Sequence, residues 1–252
     1  MYHRLFADPA ELAGWPKGVT RFWVAVSEFE RQVRALTERG YRAVPLAALV
    51  PGAPPPAGKP LVITFDDGWE SDGRLARPIL ERAGWASEHF VTVDWIGTPG
   101  FMSWTDLEAL GRRGGAIQSH SLSHRDLDRL PAAELRAELE GSRRALRERL
   151  SAPAAFFALP GGTGSRPAVR TAARAAGYRG ICTSRVGLNV AGGSPYALRR
   201  LAVLRTTPLS KLLAWVEGEG LRRLAMTRAT FRLSRRVMPR RLYAAVQELA
   251  LP

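Results

Sequence analysis

The chain has a single cysteine, Cys182, which excludes an internal disulfide and leaves no set of thiols for a zinc–thiolate cluster. Any metal must be held by histidines and carboxylates. Histidine is itself scarce, with four copies at positions 3, 89, 120 and 124. Apolar runs are short. None approaches the roughly 20 residues that a spanning helix needs, so a transmembrane protein is not expected, while attachment to a membrane surface stays open. The first twenty residues carry neither a basic stretch leading into an apolar run nor a small-residue cleavage site, which places the expected site of action in the cytoplasm. Lysine occurs only at 17, 59 and 211, and apart from the Pro-rich turn at 51–60 the chain has no repeat or low-complexity tract.

The 252 residues, 46% of them hydrophobic, can bury a sizeable core. The formal charge of +14 is unevenly spread. From Ala197 to Pro252, eleven arginines and one lysine face three glutamates, so most of the excess lies in the last quarter.

The middle of the chain alternates strand-length apolar runs with stretches of helical spacing, the pattern of repeated βα units. Strands are expected at 61–67, 89–95, 116–120, 156–160, 178–184 and 198–205, with helices at 74–83, 105–113, 131–150 and after Pro167. Ser103 with Asp106 predicts a capping box, as does Ser27 with Glu30 ahead of a helix stopped by Gly40. About six such units make an α/β domain that is a doubly wound sheet or a closed barrel. Both place reactive groups at the C-terminal ends of strands, and Asp66-Asp67, Ser119-His120 and Pro160-Gly161-Gly162 all fall there.

Alone, Thr64-Phe-Asp-Asp-Gly68 reads as a strand running into a turn. Adjacent carboxylates repel, however, unless a cation or hydrogen bonds compensate. His120-Ser-Leu-Ser-His124 supplies two imidazoles four residues apart, and with a carboxylate from the Asp pair they make a His₂Asp site with an open position, suited to zinc or a similar divalent ion.

These motifs resemble the polysaccharide deacetylases of the NodB-homology type, carbohydrate esterase family 4. TFDDG matches that family's first motif and SHSLSH its second. The likeness runs over about residues 1 to 205 in the family's order. It implies a distorted (β/α) barrel, with Asp66 as general base taking a proton from the attacking water. Asp67, His120 and His124 would hold one divalent ion, zinc ahead of cobalt, nickel or manganese. An N-acetylated glycan would be the substrate, cleaved to acetate and an amino sugar.

Two departures from the family pattern bear on the site. The third motif, usually Arg-x-Pro-aromatic-Gly, is here Ala158-Leu-Pro-Gly-Gly162, without the arginine that steadies the base; Arg185 is the candidate replacement. The late histidine that serves as general acid is missing. Tyr2-His3 resembles the N-terminal Tyr-His of a permuted subgroup typified by deacetylases of poly-N-acetylglucosamine export, which makes His3 the candidate acid. His89 reads as structural. Pro160, Gly161, Gly162, Trp95 and Arg185 are the expected substrate-binding residues, and Cys182 reads as a small buried hydrophobe.

Residues 1–206 are thus expected to form the catalytic domain and 207–252 a basic amphipathic helical tail. Met226, Ala229, Leu233 and Val237 share a stripe flanked by arginines 228, 232, 235 and 236. Such a tail suits either packing on the domain or contact with the anionic inner face of a membrane. Nucleic acid is not an expected partner, because no recognition signature accompanies the charge. Exopolysaccharide or envelope biosynthesis is the expected setting. A catalytically impaired carbohydrate-binding relative, or a deformylase or amidase acting on another sugar-linked amide, is the competing reading.

Overall fold

The computed structural model describes residues 1–50, 53, 56–150, 153–162, 166–190 and 193–227. Its centre is a five-stranded parallel sheet in the order β5 (Thr64–Asp67), β6 (Ser87–Val91), β7 (Gly115–Ser119), β8 (Phe156–Ala158) and β9 (Gly180–Cys182). The remaining strands pair outside it, β1 (Leu5–Phe6) with β2 (Val24–Ala25) and β3 (Tyr41–Ala43) with β4 (Lys59–Leu61).

Two irregular segments join the edges of the sheet and make it a distorted barrel. Tyr2 bridges Phe65 on one edge and Leu198 bridges Cys182 on the other. Val203 N–H then donates to Met1 O at 3.0 Å, linking the two segments. The stretch 198–205, expected as a sixth regular strand, is this closing segment; it carries one bridge and a few separate hydrogen bonds rather than a ladder.

The helices are α1 (Lys17–Thr20), α2 (Val26–Glu38), α3 (Arg77–Ala83), α4 (Trp104–Arg112), α5 (Ala132–Leu150), α6 (Pro167–Ala175) and α7 (Leu209–Val216), and residues 221–227 are helical as well. Ser103 and Asp106 form the expected capping box on α4. Ser27 does not cap α2, because that helix begins at Val26 and Ala25 occupies its N-cap. α3 ends at Gly84, whose φ of 66° lets its N–H return to Leu80 O. Leu135, Leu139, Ser142 and Leu146 make the buried stripe of α5. Leu212 of α7 is buried in the same cluster as Phe29, Val33 and Leu36 of α2, so the compact unit reaches at least to Val216. Ala229, Leu233, Val237 and the arginines from 228 onward lie outside the described residues.

Strand alternation sorts the side chains. Phe65 faces outward into the cluster with Tyr2, Phe29 and Leu80, while Phe90, Phe156, Ala158, Cys182 and Leu198 fill the interior. Cys182 is buried as expected, and burial pushes its thiol up to about 12. His89 is structural: Nδ1 pairs with Asp72 Oδ2 at 3.2 Å and Nε2 with Ser87 Oγ at 2.9 Å. The three groups are ordered like a nucleophile, a base and an orienting acid, but none is more than 1% exposed, so no substrate reaches the hydroxyl. Burial raises Asp72 and lowers His89, which packs the pair as two neutral groups.

Near the N-terminal end of β6, Glu88 accepts from Leu46 N–H at 2.7 Å and from the Gln118 amide at 2.8 Å. Burial nonetheless raises its carboxyl from an ordinary 4.5 to about 7. The unfolded chain therefore releases this proton first, and stability falls as pH rises through that window, by on the order of 3 kcal/mol. Urea unfolding from pH 4.5 to 8 checks this. Glu88→Gln is expected to flatten the slope between pH 5 and 7, whatever it does to the plateau; an unchanged slope would assign the dependence to other groups.

Candidate active site

Thr64 and Asp66 face the barrel interior, and the same alternation would send Asp67 outward with Phe65. It does not, because Asp67 has φ 81° and Gly68 has φ 91°, and this left-handed turn swings the second carboxylate to the mouth. The turn is tight: a Cβ on Gly68 would lie 3.0 Å from Val91 Cγ1. His120 directly follows β7 on the inward phase, and His124 is returned to it by left-handed residues at Ser121 (φ 71°) and at His124 itself (φ 59°).

The result is one cluster of three potential ligands. One ligand atom each from Asp67, His120 and His124 lies within 4.8 Å of the others. Asp67 Oδ1 is 3.5 Å from Nε2 of both imidazoles. His120 Nδ1 hydrogen-bonds Ala158 O at 3.0 Å, which fixes Nε2 as the nitrogen facing Asp67. Trp69 Nε1–H donates to Asp67 Oδ2 at 3.3 Å, and Trp95 stacks on His124 with ring centroids 4.8 Å apart.

The electrostatics of the cluster fit a divalent cation. Asp67 Oδ1 is buried with no hydrogen-bond partner, an arrangement that is costly unless something positive sits there. Burial pushes the Asp67 carboxyl up; His3 opposes the shift and the Asp66 charge adds to it. Burial also lowers His120 to about 3 and lowers His124, keeping both imidazoles neutral, the form that ligates. A carboxylate and two neutral imidazoles around one point are a donor set for zinc and its neighbours.

Asp66 is held differently. Arg200 grips it bidentately, Nη1–Oδ1 at 2.6 Å and Nη2–Oδ2 at 2.8 Å, and donates from Nε to Thr183 O at 3.0 Å. Burial alone would raise this carboxyl, but the Arg200 guanidinium holds it well below the usual carboxylate range. The arginine missing from position 158 is thus supplied by the closing segment and not by Arg185, which is exposed after β9. Ala158 lies in the interior cluster with Phe90, and the Arg200 guanidinium sits 5.6 Å from the Phe90 ring centroid.

The His3 ring lies tilted against Phe22, with centroids 4.7 Å apart, and its Nδ1 is buried without a hydrogen-bond partner. Burial lowers its pKa against the pull of Asp67 and Asp66. Pro160, Gly161 and Gly162 form a turn after β8 in which both glycines have positive φ, 58° and 68°. A Cβ on Gly162 would meet Ser184 Cβ at 2.8 Å. The segment Val93–Trp95, expected as the end of a strand, is a short 3-10 turn that brings Trp95 to His124.

The sequence profile of the polysaccharide deacetylase family matches residues 53–181. The chain belongs to the polysaccharide deacetylase family. YxkH of Bacillus subtilis (strain 168), which is named as a polysaccharide deacetylase, is 24% identical over 198 residues, 77% of this chain and 71% of its own. Among solved structures, the deacetylase PplD of Streptococcus pyogenes, in complex with acetate, superposes with a TM-score of 0.75 at 22% identity, over 86% of this chain and 96% of its own. IcaB from Ammonifex degensii gives 0.73 at 23% identity, over 86% of this chain and 94% of its own. At these identities the structures establish a shared fold. Family membership makes this polysaccharide deacetylase relative a hydrolase with a carbohydrate substrate.

Proposed function

We propose that the chain is a metal-dependent hydrolase that removes N-acetyl groups from an amino sugar in an oligo- or polysaccharide, or in a lipid-linked glycan precursor, during exopolysaccharide or envelope biosynthesis. The observation that carries this reading is the juxtaposition of the Asp67–His120–His124 cluster with an Asp66 carboxylate kept ionised by Arg200. Asp67, His120 and His124 would hold a divalent ion, zinc ahead of cobalt, nickel or manganese, which would supply a water of lowered pKa and polarisation of an acyl oxygen.

The chain's own groups supply the proton transfers. Asp66 accepts the proton of the attacking water, since each carboxylate oxygen keeps a lone pair beyond the one that Arg200 occupies. His3, electrostatically coupled to both aspartates, delivers a proton to the leaving nitrogen, so that acetate and a free amine result. Trp95 and the turn at Pro160–Gly162 line the sugar site, where an aromatic face can stack on a pyranose ring. The setting is cytoplasmic, with the arginine-rich C-terminal residues touching an anionic membrane surface. Nucleic acid is not a partner.

Elemental analysis of the purified protein, alongside release of acetate from a panel of N-acetylated glycans, tests this reading. Near one divalent ion per chain, lost in His120→Ala together with acetate release, is the expected result. A bound ion with no acetate released from any glycan would favour a carbohydrate-binding relative without turnover. His3→Ala is expected to cut turnover at unchanged metal content; unchanged turnover would remove His3 from the mechanism. Anionic vesicles should float the full chain but not one ending at Thr227, and equal flotation would exclude the membrane contact.

A further inference from the structure

The two histidine ligands are joined by three residues, Ser121, Leu122 and Ser123, and this short loop adopts a conformation that its own sequence does not favour. Ser121 and His124 both have left-handed backbone, with φ of 71° and 59°. Such residues cost on the order of 1 kcal/mol or more each and persist only where the surroundings enforce them. Four backbone or local contacts constrain the loop: His124 N–H donates to Ser121 Oγ at 2.9 Å, Ser121 N–H to Ser119 Oγ at 3.3 Å, Val93 N–H to Ser121 O at 3.3 Å, and Asp94 N–H to Leu122 O at 2.9 Å. The contact with the most donors comes from elsewhere. Glu138, on α5, is buried, and its Oε2 accepts from both Leu122 N–H and Ser123 N–H at 3.0 Å. Its Oε1 accepts from the Ser123 hydroxyl.

A buried carboxylate is costly unless it is well hydrogen-bonded, and among the described residues this one accepts from the loop between the two histidines rather than pairing with a cation. One turn further along α5, Ser142 Oγ lies 2.9 Å from Ser119 Oγ, tying the same helix to the residue before His120. We propose that Glu138 is a positioning residue for the metal centre: its carboxylate fixes the peptide groups of Leu122 and Ser123, and so sets the separation and orientation of His120 and His124. The inference rests on the metal-centre reading above and concerns affinity for the ion, independent of which glycan is cleaved.

Metal-free protein titrated with Zn²⁺ against a chromophoric chelator, and with Co²⁺ followed by its d–d absorption, tests it. Glu138→Ala should lose about 10- to 100-fold in affinity, the usual effect of removing an outer-shell partner, and its Co²⁺ spectrum should change. Glu138→Gln should stay within about threefold of wild type, because its carbonyl oxygen can accept both backbone N–H groups while its amide donates to Ser123 Oγ. Leu146→Ala, a cavity in α5 away from the loop, should lower stability and leave affinity alone. Wild-type affinity and spectrum in Glu138→Ala would overturn the inference, as would an equal loss in Glu138→Gln or in Leu146→Ala. If Glu138→Ala does not fold, Glu138→Asp serves instead. Its carboxylate falls one methylene short, so a loss supports the inference and wild-type affinity overturns it. Wild-type protein that binds neither ion would overturn the metal-centre reading and this inference with it.

Discussion

Replacing Arg200 with methionine is expected to destabilise the metal-free protein by about 3–5 kcal/mol, the usual cost of leaving one partner of a buried ion pair alone. Both side chains are buried, and the guanidinium makes two short bonds to Asp66 and a third to Thr183 O. Methionine keeps the length and apolar bulk, so the loss reports the uncompensated carboxylate rather than a cavity. The double variant Asp66→Asn/Arg200→Met removes both charges and should recover most of the stability, because a buried pair is worth little against neutral groups of similar volume. Turnover should fall in the single variant as well. Without Arg200, burial drives Asp66 toward its protonated form, which cannot accept a proton. Urea denaturation of wild type and the two variants decides the matter. An Arg200→Met protein within about 1 kcal/mol of wild type would mean that Arg200 does not hold Asp66 in solution.

That pair also lies beyond what short sequence motifs reveal. Asp66, Asp67, His120 and His124 were legible because scarce residue types recur at short spacing beside predicted strand ends, and short spacing survives without knowledge of the fold. Arg200 lies 134 residues from Asp66 and is one arginine among many. The signal that could have found it was topological. Residues 198–205 read as the last strand, a closed barrel lays the last strand beside the first, and Arg200 falls on the same alternation as Leu198, which points inward. Arg185 was the nearer candidate in sequence and the wrong one in space.

Glu138 was hidden for a related reason. It sits in a helix rich in charge, but on the stripe of Leu135, Leu139, Ser142 and Leu146, and a carboxylate on an apolar stripe signals a buried acceptor with a specific task. Strand ends were less legible than strands. The alternation continues through 89–95 in the sequence, whereas the chain leaves the sheet at Val91 and coils so that Trp95 meets His124. The closing segment, read as a regular strand, instead joins the edges through one bridge and a few separate bonds.

Asp66→Asn is expected to lower turnover by about 10²- to 10⁴-fold, the range for removing a general base, while metal content stays near the wild-type value. Asparagine preserves the shape and leaves one oxygen for Arg200, but its amide has no basic site for the proton of the attacking water. Asp67→Asn should behave in the opposite order: metal content falls first, and turnover is lost as a consequence. The contrast separates two adjacent carboxylates whose proposed roles follow from their placement: Asp66 continues the strand's inward phase into the arms of Arg200, whereas a left-handed turn at Asp67 swings it to the imidazoles. Circular dichroism guards against a misfolded Asp66→Asn protein, since the substitution leaves the Arg200 charge buried. Retention of turnover within about tenfold of wild type, at equal metal content, would show that Asp66 is not the base. The proton would then have to pass to another group at the mouth, with His3 the remaining candidate by its coupling to both aspartates.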